Sequence, residues 1–416
     1  MINFEKYILD NGLTVIVHQD KTTPMVAIDV CYKVGSRDED PARTGFAHLF
    51  EHLMFGGSKH IPSYDEPLQK AGGDNNAYTT NDLTNYYLTV PKVNMETGFW
   101  LESDRMLELA FSQKSLDVQK NVVIEEFKQR NLNQPYGDVW ALIRGMAYQV
   151  HPYRWATIGQ EISHIENATL SHVKDFFYHH YAPNNAVLVV TGDITSAEVM
   201  KLAEKWFSTI PARELAPKNI PVEPPQTAYR EQTVYRDVPN DALYMAFHMA
   251  DRLHPDYYAT DMISDVLSNG NSSRLYQRLV QEKKIFTTLD AYISGDYDPG
   301  LFIFSGNPSE GIDLEEARAE LENEIELIKL APVDARELEK VKNKFEANLI
   351  YSEISYQNKA QNLATLEVLK DAALINTQMD GYRAVSATDI QMVASHIFVP
   401  ENCSVLYYRA KKQKHD

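Results

Sequence analysis

Apolar and polar positions alternate in short runs over the first 35 residues, the pattern of half-buried β-strands. Asn11-Gly12 separates two of these runs and predicts a hairpin, because this dipeptide favours the tight turn between antiparallel strands. A third strand is predicted at 26–34, where the sequence reads VAIDVCYKV. Residues 71–78, AGGDNNAY, are expected to form a turn-rich bend. Further strands are predicted at 85–90 and 185–190, and helical periodicity predicts helices at 95–110, 116–132, 170–178 and 196–207.

The second half of the chain repeats this order of elements. Strands are predicted at 242–249, 289–294, 301–305 and 404–408, and helices at 258–269, 314–330, 335–352 and 358–372. Residues 211–226 are rich in proline and indicate a linker, so we predict domains at 1–210 and 227–416. The fold class expected is α+β: two similar α/β-layered domains in tandem, each a mixed or antiparallel sheet packed with helices.

One helix carries candidate chemistry. Residues 45–57 read GFAHLFEHLMFGG, without proline, and place His48 and His52 four residues apart on one helix face. Two imidazoles at this spacing can bind one Zn²⁺, and the uncoordinated Glu51 beside them could act as general base. The order H-x-x-E-H is the inverzincin signature.

The same five-letter pattern also arises by chance on ordinary helices with surface histidines. Its apolar neighbours favour a buried helix instead, on which polar groups need partners that a metal would supply. These neighbours are Phe46, Leu49, Phe50, Leu53, Met54 and Phe55.

A catalytic zinc site needs a third protein ligand. Glu126 is the best candidate, since it lies three and four residues beyond Val123 and Val122 on the predicted apolar face of its helix. Glu125 is expected to be solvated.

Two further histidines, His60 and His151, are possible spare ligands but are expected to be ordinary loop residues. Aligning Gly57 with Gly270 places the motif opposite Asp261, Ser264 and Asp265, so the second half repeats the layout without the metal ligands.

Composition narrows the possible partners. Hydrophobic residues make up 44% and charged residues 24%, as in ordinary globular proteins, and the formal charge of −18 disfavours nucleic acid and anionic membranes. No apolar run approaches transmembrane length. Cys31 and Cys403 are expected to be free core thiols. The first 20 residues read as strand, turn and strand, which indicates a cytoplasmic protein, or a periplasmic one if an export signal has been removed.

Several stretches together resemble the M16 metallopeptidase family, in particular its short two-domain branch of mitochondrial processing peptidases and bacterial relatives. In family order they are GFAHLFEHLMFGG, AGGDNNAYTTNDLTNYYLTVP, LESDRM, VVIEEF, HPYRWATIG and YAPNNAVLVVTGDI, with NSSRLYQRL in the second half.

The resemblance implies roles for individual residues. His48, His52 and Glu126 would hold one Zn²⁺ per chain, and Glu51 would activate water. Gly73, Asn76 and Ala77 would lie on an edge strand to which a peptide substrate adds, although Asn76 also reads as a turn residue. Gln119 stands where the family usually has a glutamate that supports the site.

The family also uses an Arg and a Tyr in its second domain to hold the substrate carbonyl. Those positions fall on Gln281 and Thr288 here, with Tyr292 four residues further on. We therefore expect the zinc-bearing subunit of a heterodimer whose related partner supplies both groups, with a homodimer as the alternative. The expected activity is that of a zinc-dependent endopeptidase acting on short or unfolded peptides in a dimeric chamber. The competing readings are a non-catalytic structural subunit and a zinc-stabilised binding module.

Overall fold

A computed structural model describes residues 1–215 and 217–411. Short 3₁₀ and π turns connect several of its elements. In chain order the strands and helices are β1 (Glu5–Ile8), β2 (Thr14–Gln19), β3 (Met25–Tyr32), α1 (Phe46–Leu53), α2 (Asp65–Lys70), β4 (Asp74–Thr79), β5 (Thr84–Pro91), α3 (Met95–Leu107), α4 (Gln113–Phe127), α5 (Val139–Ala147), α6 (Ile162–Glu166), α7 (Leu170–His180), β6 (Ala186–Gly192), α8 (Ser196–Phe207), β7 (Arg230–Arg236), β8 (Ala242–His248), α9 (Asp256–Ser268), β9 (Phe286–Ile293), β10 (Leu301–Pro308), α10 (Leu314–Leu330), α11 (Ala335–Ser352), α12 (Tyr356–Leu369), α13 (Gln378–Ala384), α14 (Ala387–Ile397) and β11 (Cys403–Ala410).

Contacts divide the chain into two compact units, and each unit is assembled from separate segments. The first contains residues 1–129, 155–221 and 349–377, and the second contains the remaining described residues. This division is not a single cut, because α12, from the second half of the chain, packs on β3 and β6 of the first unit. The predicted domains 1–210 and 227–416, joined by a linker at 211–226, remain a prediction.

A six-stranded mixed sheet forms the centre of the first unit, in the order β1-β2-β6-β3-β5-β4. Only the β2–β6 pair is parallel. Alternate residues of β3, including Val26, Ile28 and Val30, enter the main core. The residues between them, including Asp29, point to the other face, against which α12 packs. Because both faces are covered, every residue of β6 is buried, as its continuous apolar sequence requires.

The second unit is built on a five-stranded mixed sheet in the order β7-β11-β8-β10-β9, in which β7 and β11 are parallel. On one face, α9 and α10 contribute to a core that contains Met262, Leu321 and Phe302. On the other face, Ile143 of α5 packs in a cluster with Ile303 of β10. Both sheets are therefore enclosed by helices, and the predicted α+β class with mixed sheets is confirmed.

Most predicted elements have their counterpart in the structure. The hairpin at Asn11-Gly12 is confirmed, with Ile8 paired to Thr14 across the turn. The bend predicted at 71–78 is wrong over most of its length, because Asp74–Thr79 form β4, the edge strand beside β5. Its polar sequence hid the strand, since a short edge strand with one unpaired side tolerates polar residues.

Helix α9 carries the residues aligned with the H-x-x-E-H motif. Its Asp261 carboxylate accepts a hydrogen bond of 2.6 Å from the Tyr382 hydroxyl, and Asp265 forms a 2.9 Å ion pair with Lys344. Burial raises the pKa of Asp261 to about 6, although the Tyr382 bond opposes the shift. At the positions aligned with the two histidines, α9 thus carries carboxylates held by a phenol and an ammonium group.

The raised pKa of Asp261 predicts a pH-dependent gain in stability for Asp261→Asn. The Asp261 carboxyl group binds its proton more tightly in the folded protein than in the unfolded chain. Its contribution to the free energy of unfolding is therefore complete at low pH and is lost as pH rises through about 6. Asparagine can accept the Tyr382 bond and never ionises. Urea unfolding should show the variant about 1–2 kcal/mol more stable at pH 7 and little changed at pH 4.

Asp265→Asn is the matched control on the same helix. It removes the ion pair with Lys344 and should lower stability at pH 7. Equal effects of Asp261→Asn on stability at pH 4 and pH 7 would contradict the raised pKa of Asp261.

Candidate metal centre

Helix α1 begins at a glycine for a steric reason. Gly45, its N-cap, has a φ of +88°, which favours glycine. A Cβ atom at Gly45 would also lie 2.8 Å from the carbonyl oxygen of Ile158, so the two chain segments could not approach as they do. The backbone conformation of Gly45 and its close approach to Ile158 thus fix where the helix begins.

A buried carboxylate caps this helix start. Glu39, only 5% exposed, accepts hydrogen bonds from the backbone N–H groups of Gly45 (2.9 Å) and Ala47 (2.8 Å). These donors have no partner within the helix, and the amino end of a helix favours negative charge. Burial raises the pKa of Glu39 to about 8, against the opposing effect of these two bonds. Sequence reasoning missed this residue.

The two histidines of α1 lie on one face, as predicted, with ring centroids 4.9 Å apart. The Glu126 Oε2 atom lies 3.6 Å from His48 Nε2 and 3.4 Å from His52 Nε2. Among the described residues these three form the one group of potential metal ligands, with all ligand atoms within 4.8 Å of one another.

The geometry of these three groups fits a zinc site. A tetrahedral ion with bonds of roughly 2.0–2.2 Å holds neighbouring ligand atoms about 3.3–3.6 Å apart. Both measured N···O distances agree with that spacing. Two imidazole nitrogens and one carboxylate oxygen are also a known donor set of catalytic zinc sites.

Glu51 lies beside this group and is not one of the three. Its Oε2 atom accepts a hydrogen bond of 2.6 Å from the hydroxyl of Thr79, the last residue of β4. The side chain of Glu51 is half-buried. Thr79 was not identified from the sequence, because the contact joins a helix to a strand that had been predicted as a turn.

Glu126 reaches the site from α4, which packs against α1. Val123 and Ile124 are buried, whereas Val122 is 44% exposed. The predicted apolar face containing Val122 and Val123 is therefore wrong, because the buried stripe runs through residues 116, 123 and 124. Glu125 is exposed and pairs with Lys128 at 2.7 Å, as expected of a solvated residue.

Hydrogen bonds from two side chains anchor α4 to other elements. The Ser115 hydroxyl donates to the carbonyl oxygen of Gly56 (3.2 Å), just after α1, and the Lys120 ammonium group donates to that of Ala168 (3.1 Å). Gln119 is half-buried, and its side chain forms no hydrogen bond within the described part of the chain. Its proposed support of the site stays a prediction.

The predicted peptide-binding residues lie on or beside the edge strand. Asn76 and Ala77 belong to β4, and Gly73 immediately precedes it. A Cβ atom at Gly73 would lie 2.8 Å from the Thr89 carbonyl oxygen, so close packing accounts for this glycine. The Asn76 side-chain oxygen accepts a 2.8 Å bond from the Ala77 N–H.

The remaining sequence candidates are engaged elsewhere. His60 Nδ1 lies 2.6 Å from Asp104, and His151 Nε2 lies 3.3 Å from Asp298. In the second unit, exposed Gln281 donates to the Tyr276 hydroxyl, and exposed Thr288 donates to Asn307. Neither position supplies a cation or a phenol. Across the residues that the structure describes, no helix is long and apolar enough to span a membrane.

Comparison with known proteins identifies the family. A model of the insulinase family, peptidase family M16, matches residues 14–159, and a model described as the peptidase M16 inactive domain matches residues 167–345. The chain belongs to the M16 peptidase family. His48, His52 and Glu126 fall within the first of these matches, and the second covers α9.

Similar proteins of this family are found in bacteria and mitochondria. The zinc protease PqqE of Helicobacter pylori is 29% identical over 413 residues, covering 97% of this chain and 92% of the relative. A probable mitochondrial-processing peptidase subunit beta of Schizosaccharomyces pombe is 25% identical over 308 residues, covering 71% and 67%. The crystal structure of a protease from Helicobacter pylori matches with a TM-score of 0.92 and 28% identity, covering 98% of this chain and 100% of that one. The predicted two-domain M16 fold is confirmed.

The ligand assignment predicts that Glu126→Gln weakens zinc binding, whereas Glu125→Gln does not. The first change replaces the anionic ligand, 3.4–3.6 Å from both imidazoles, with a neutral amide. The second alters a solvated neighbour. Titration against a fluorescent zinc chelator should show the dissociation constant rise at least about tenfold for Glu126→Gln only. Equal effects of the two changes would remove Glu126 from the ligand set.

Proposed function

We propose that this chain is a zinc-dependent endopeptidase that hydrolyses short or unfolded peptides. The observation that carries the proposal is the convergence of Glu126 on His48 and His52 at 3.4–3.6 Å. Membership of the M16 family and the name zinc protease given to the Helicobacter pylori relative support peptidase chemistry. One zinc ion per chain, held by these three residues, would supply Lewis-acid activation of water and of the scissile carbonyl.

Glu51 is the proposed general base. It lies on α1 between the two histidines in sequence, and it is outside the group of three converging ligands. A carboxylate in this place can accept a proton from the attacking water and pass it to the leaving amine. Its half-burial limits competing solvent contacts while leaving it accessible to a bound peptide.

Strand β4 is the proposed docking edge for the substrate. It pairs with β5 on one side and has no neighbouring strand on the other in the described sheet. An extended peptide could add there through backbone hydrogen bonds near Gly73, Asn76 and Ala77. Because Asn76 already accepts the Ala77 N–H, a peptide carbonyl binding at Ala77 would displace that side chain.

A partner subunit completes the proposed enzyme. Gln281 and Thr288 occupy the positions at which the family has its substrate-holding Arg and Tyr, and the nearby Arg274 and Arg278 are bound to Glu337 and Glu324. We propose that this chain forms a heterodimer that encloses the peptide in a chamber. A homodimer is the alternative. The similarity to a protein named as a processing-peptidase subunit supports an assembly of this kind. The compartment, cytoplasm or periplasm, remains a prediction.

The alternative is a non-catalytic structural subunit of the same fold. The matched inactive domain, residues 167–345, contains none of His48, Glu51, His52 and Glu126 and so does not favour that alternative. A structural subunit would have no use for a complete set of ligands with a base beside it.

The proposed role of Glu51 predicts that Glu51→Gln retains zinc and loses turnover. Gln cannot accept the proton, so cleavage of a quenched peptide library, assayed with the partner subunit if activity requires one, should fall by roughly 10²–10⁴-fold. Glu125→Gln serves as control and should behave as wild type. A chelator should abolish wild-type cleavage, and zinc should restore it. Unchanged turnover in Glu51→Gln, with zinc bound, would exclude Glu51 as the base.

The partner hypothesis predicts a gain of function in Gln281→Arg/Thr288→Tyr. Both side chains are exposed, so the fold should accept the change. The isolated double variant should cleave peptides faster than the unmodified chain, whereas Gln281→Met/Thr288→Phe, which adds bulk without the charge or the hydroxyl, should not. No gain with zinc bound, or full chelator-sensitive activity in the unmodified chain alone, would refute the need for a partner's Arg and Tyr.

A further inference from the structure

We infer that Thr79 is a positioning residue that holds the Glu51 carboxylate in its catalytic orientation. The inference rests on the proposed function. The observation that supports the inference is the 2.6 Å contact between Thr79 Oγ1 and Glu51 Oε2. An ionised carboxylate can only accept hydrogen bonds, so the threonine hydroxyl is the donor. The distance lies in the range of short, charge-assisted O–H···O⁻ bonds.

The hydroxyl of Thr79 is itself held firmly. Thr79 ends β4, and its backbone lies in register with Thr84 of β5. Thr84 is buried, and its own hydroxyl donates to the Val34 carbonyl oxygen at 2.8 Å. A β-branched side chain has few accessible χ1 rotamers. Strand β4 also contacts α1 directly, so the donor keeps a fixed place relative to the helix that carries the base.

Glu51 has a particular need for such a restraint. It lies three residues after His48 and directly before His52. A rotation of its flexible side chain could therefore bring a second carboxylate towards the ligands. A coordinated Glu51 could no longer accept a proton. The Thr79 bond, directed from a separate strand, holds the carboxylate in place and so separates the role of base from that of ligand.

The same strand is the proposed docking edge for the peptide. Asn76 and Ala77 lie three and two residues before Thr79 on β4, respectively. The orientation of the base and the position of the peptide backbone would therefore be set by one element. A peptide that added correctly to β4 would meet a base whose direction is fixed by that strand.

The test compares Thr79→Val, Thr79→Ser and Thr89→Val in the full chain, with its partner subunit if activity requires one. Valine keeps the shape and removes the donor, and serine restores the donor. Thr89, on the neighbouring strand β5, forms no side-chain hydrogen bond among the described residues and is the matched control. The readouts are zinc affinity, kcat and KM on a quenched peptide, and calorimetric binding of a short peptide hydroxamate to the zinc-loaded protein.

We expect Thr79→Val to bind zinc as wild type does, with KM within about twofold and kcat reduced roughly 10- to 100-fold, the usual effect of losing a bond that orients a metal-site group. Hydroxamate affinity should fall in parallel, because a hydroxamate donates its proton to the same carboxylate. Thr79→Ser should recover most of the kcat and of the hydroxamate affinity, and Thr89→Val should leave both quantities at the wild-type level.

Two results would overturn the inference while leaving the proposed function intact. One is wild-type kcat and hydroxamate affinity in Thr79→Val. The other is loss of zinc binding or folding in Thr79→Val that Thr79→Ser repairs, which would make the bond purely structural. Failure of the proposed function has a different signature: the wild-type protein would show neither chelator-sensitive cleavage nor zinc-dependent hydroxamate binding, and the inference would fall with it.

Discussion

The Glu126 carboxylate, on one helix, comes within 3.4–3.6 Å of two imidazoles carried by another helix, at the candidate metal centre. A cation bound between these groups would stabilise them, because burying polar groups is costly unless they are partnered. Neither helix could set this distance alone. Glu39 and Gly45 fix where α1 begins, while Ser115 and Lys120 fix α4 against the turn after α1 and the end of α6. The site therefore depends on how well both helices are anchored at points away from the ligands.

The amount that could be predicted differs between local and tertiary features. Spacing alone placed His48 and His52 on one helical face, because four residues span about one turn. Glu126 was named from a predicted apolar face that was wrong about Val122, and the family resemblance implied the same residue. Periodicity identified a helix at this place, but it could not decide which of two adjacent valines meets the core.

Thr79 and Glu39 lay beyond sequence reasoning for the same physical reason. Each contacts α1 from a different element, so its role depends on tertiary packing that no local pattern encodes. For Glu39 one signal was present: an acidic residue in the loop before a glycine-initiated helix is a candidate cap for the free N–H groups. For Thr79 there was none: the resemblance implied an edge strand at Gly73, Asn76 and Ala77, but it did not indicate which side chain of that strand contacts α1.

The placement of α12 has a consequence for how this protein can be made and divided. This helix comes from residues 356–369, yet it covers the face of the first sheet that carries Asp29, and its residue Lys359 forms an ion pair of 2.6 Å with Asp20. A gene fragment that stopped near residue 210 would encode all three candidate ligands but leave that face bare, with a buried carboxylate opened to water. Recombinant expression of this fragment alone would thus yield an aggregation-prone chain, and any viable split protein must carry the late helix back in trans.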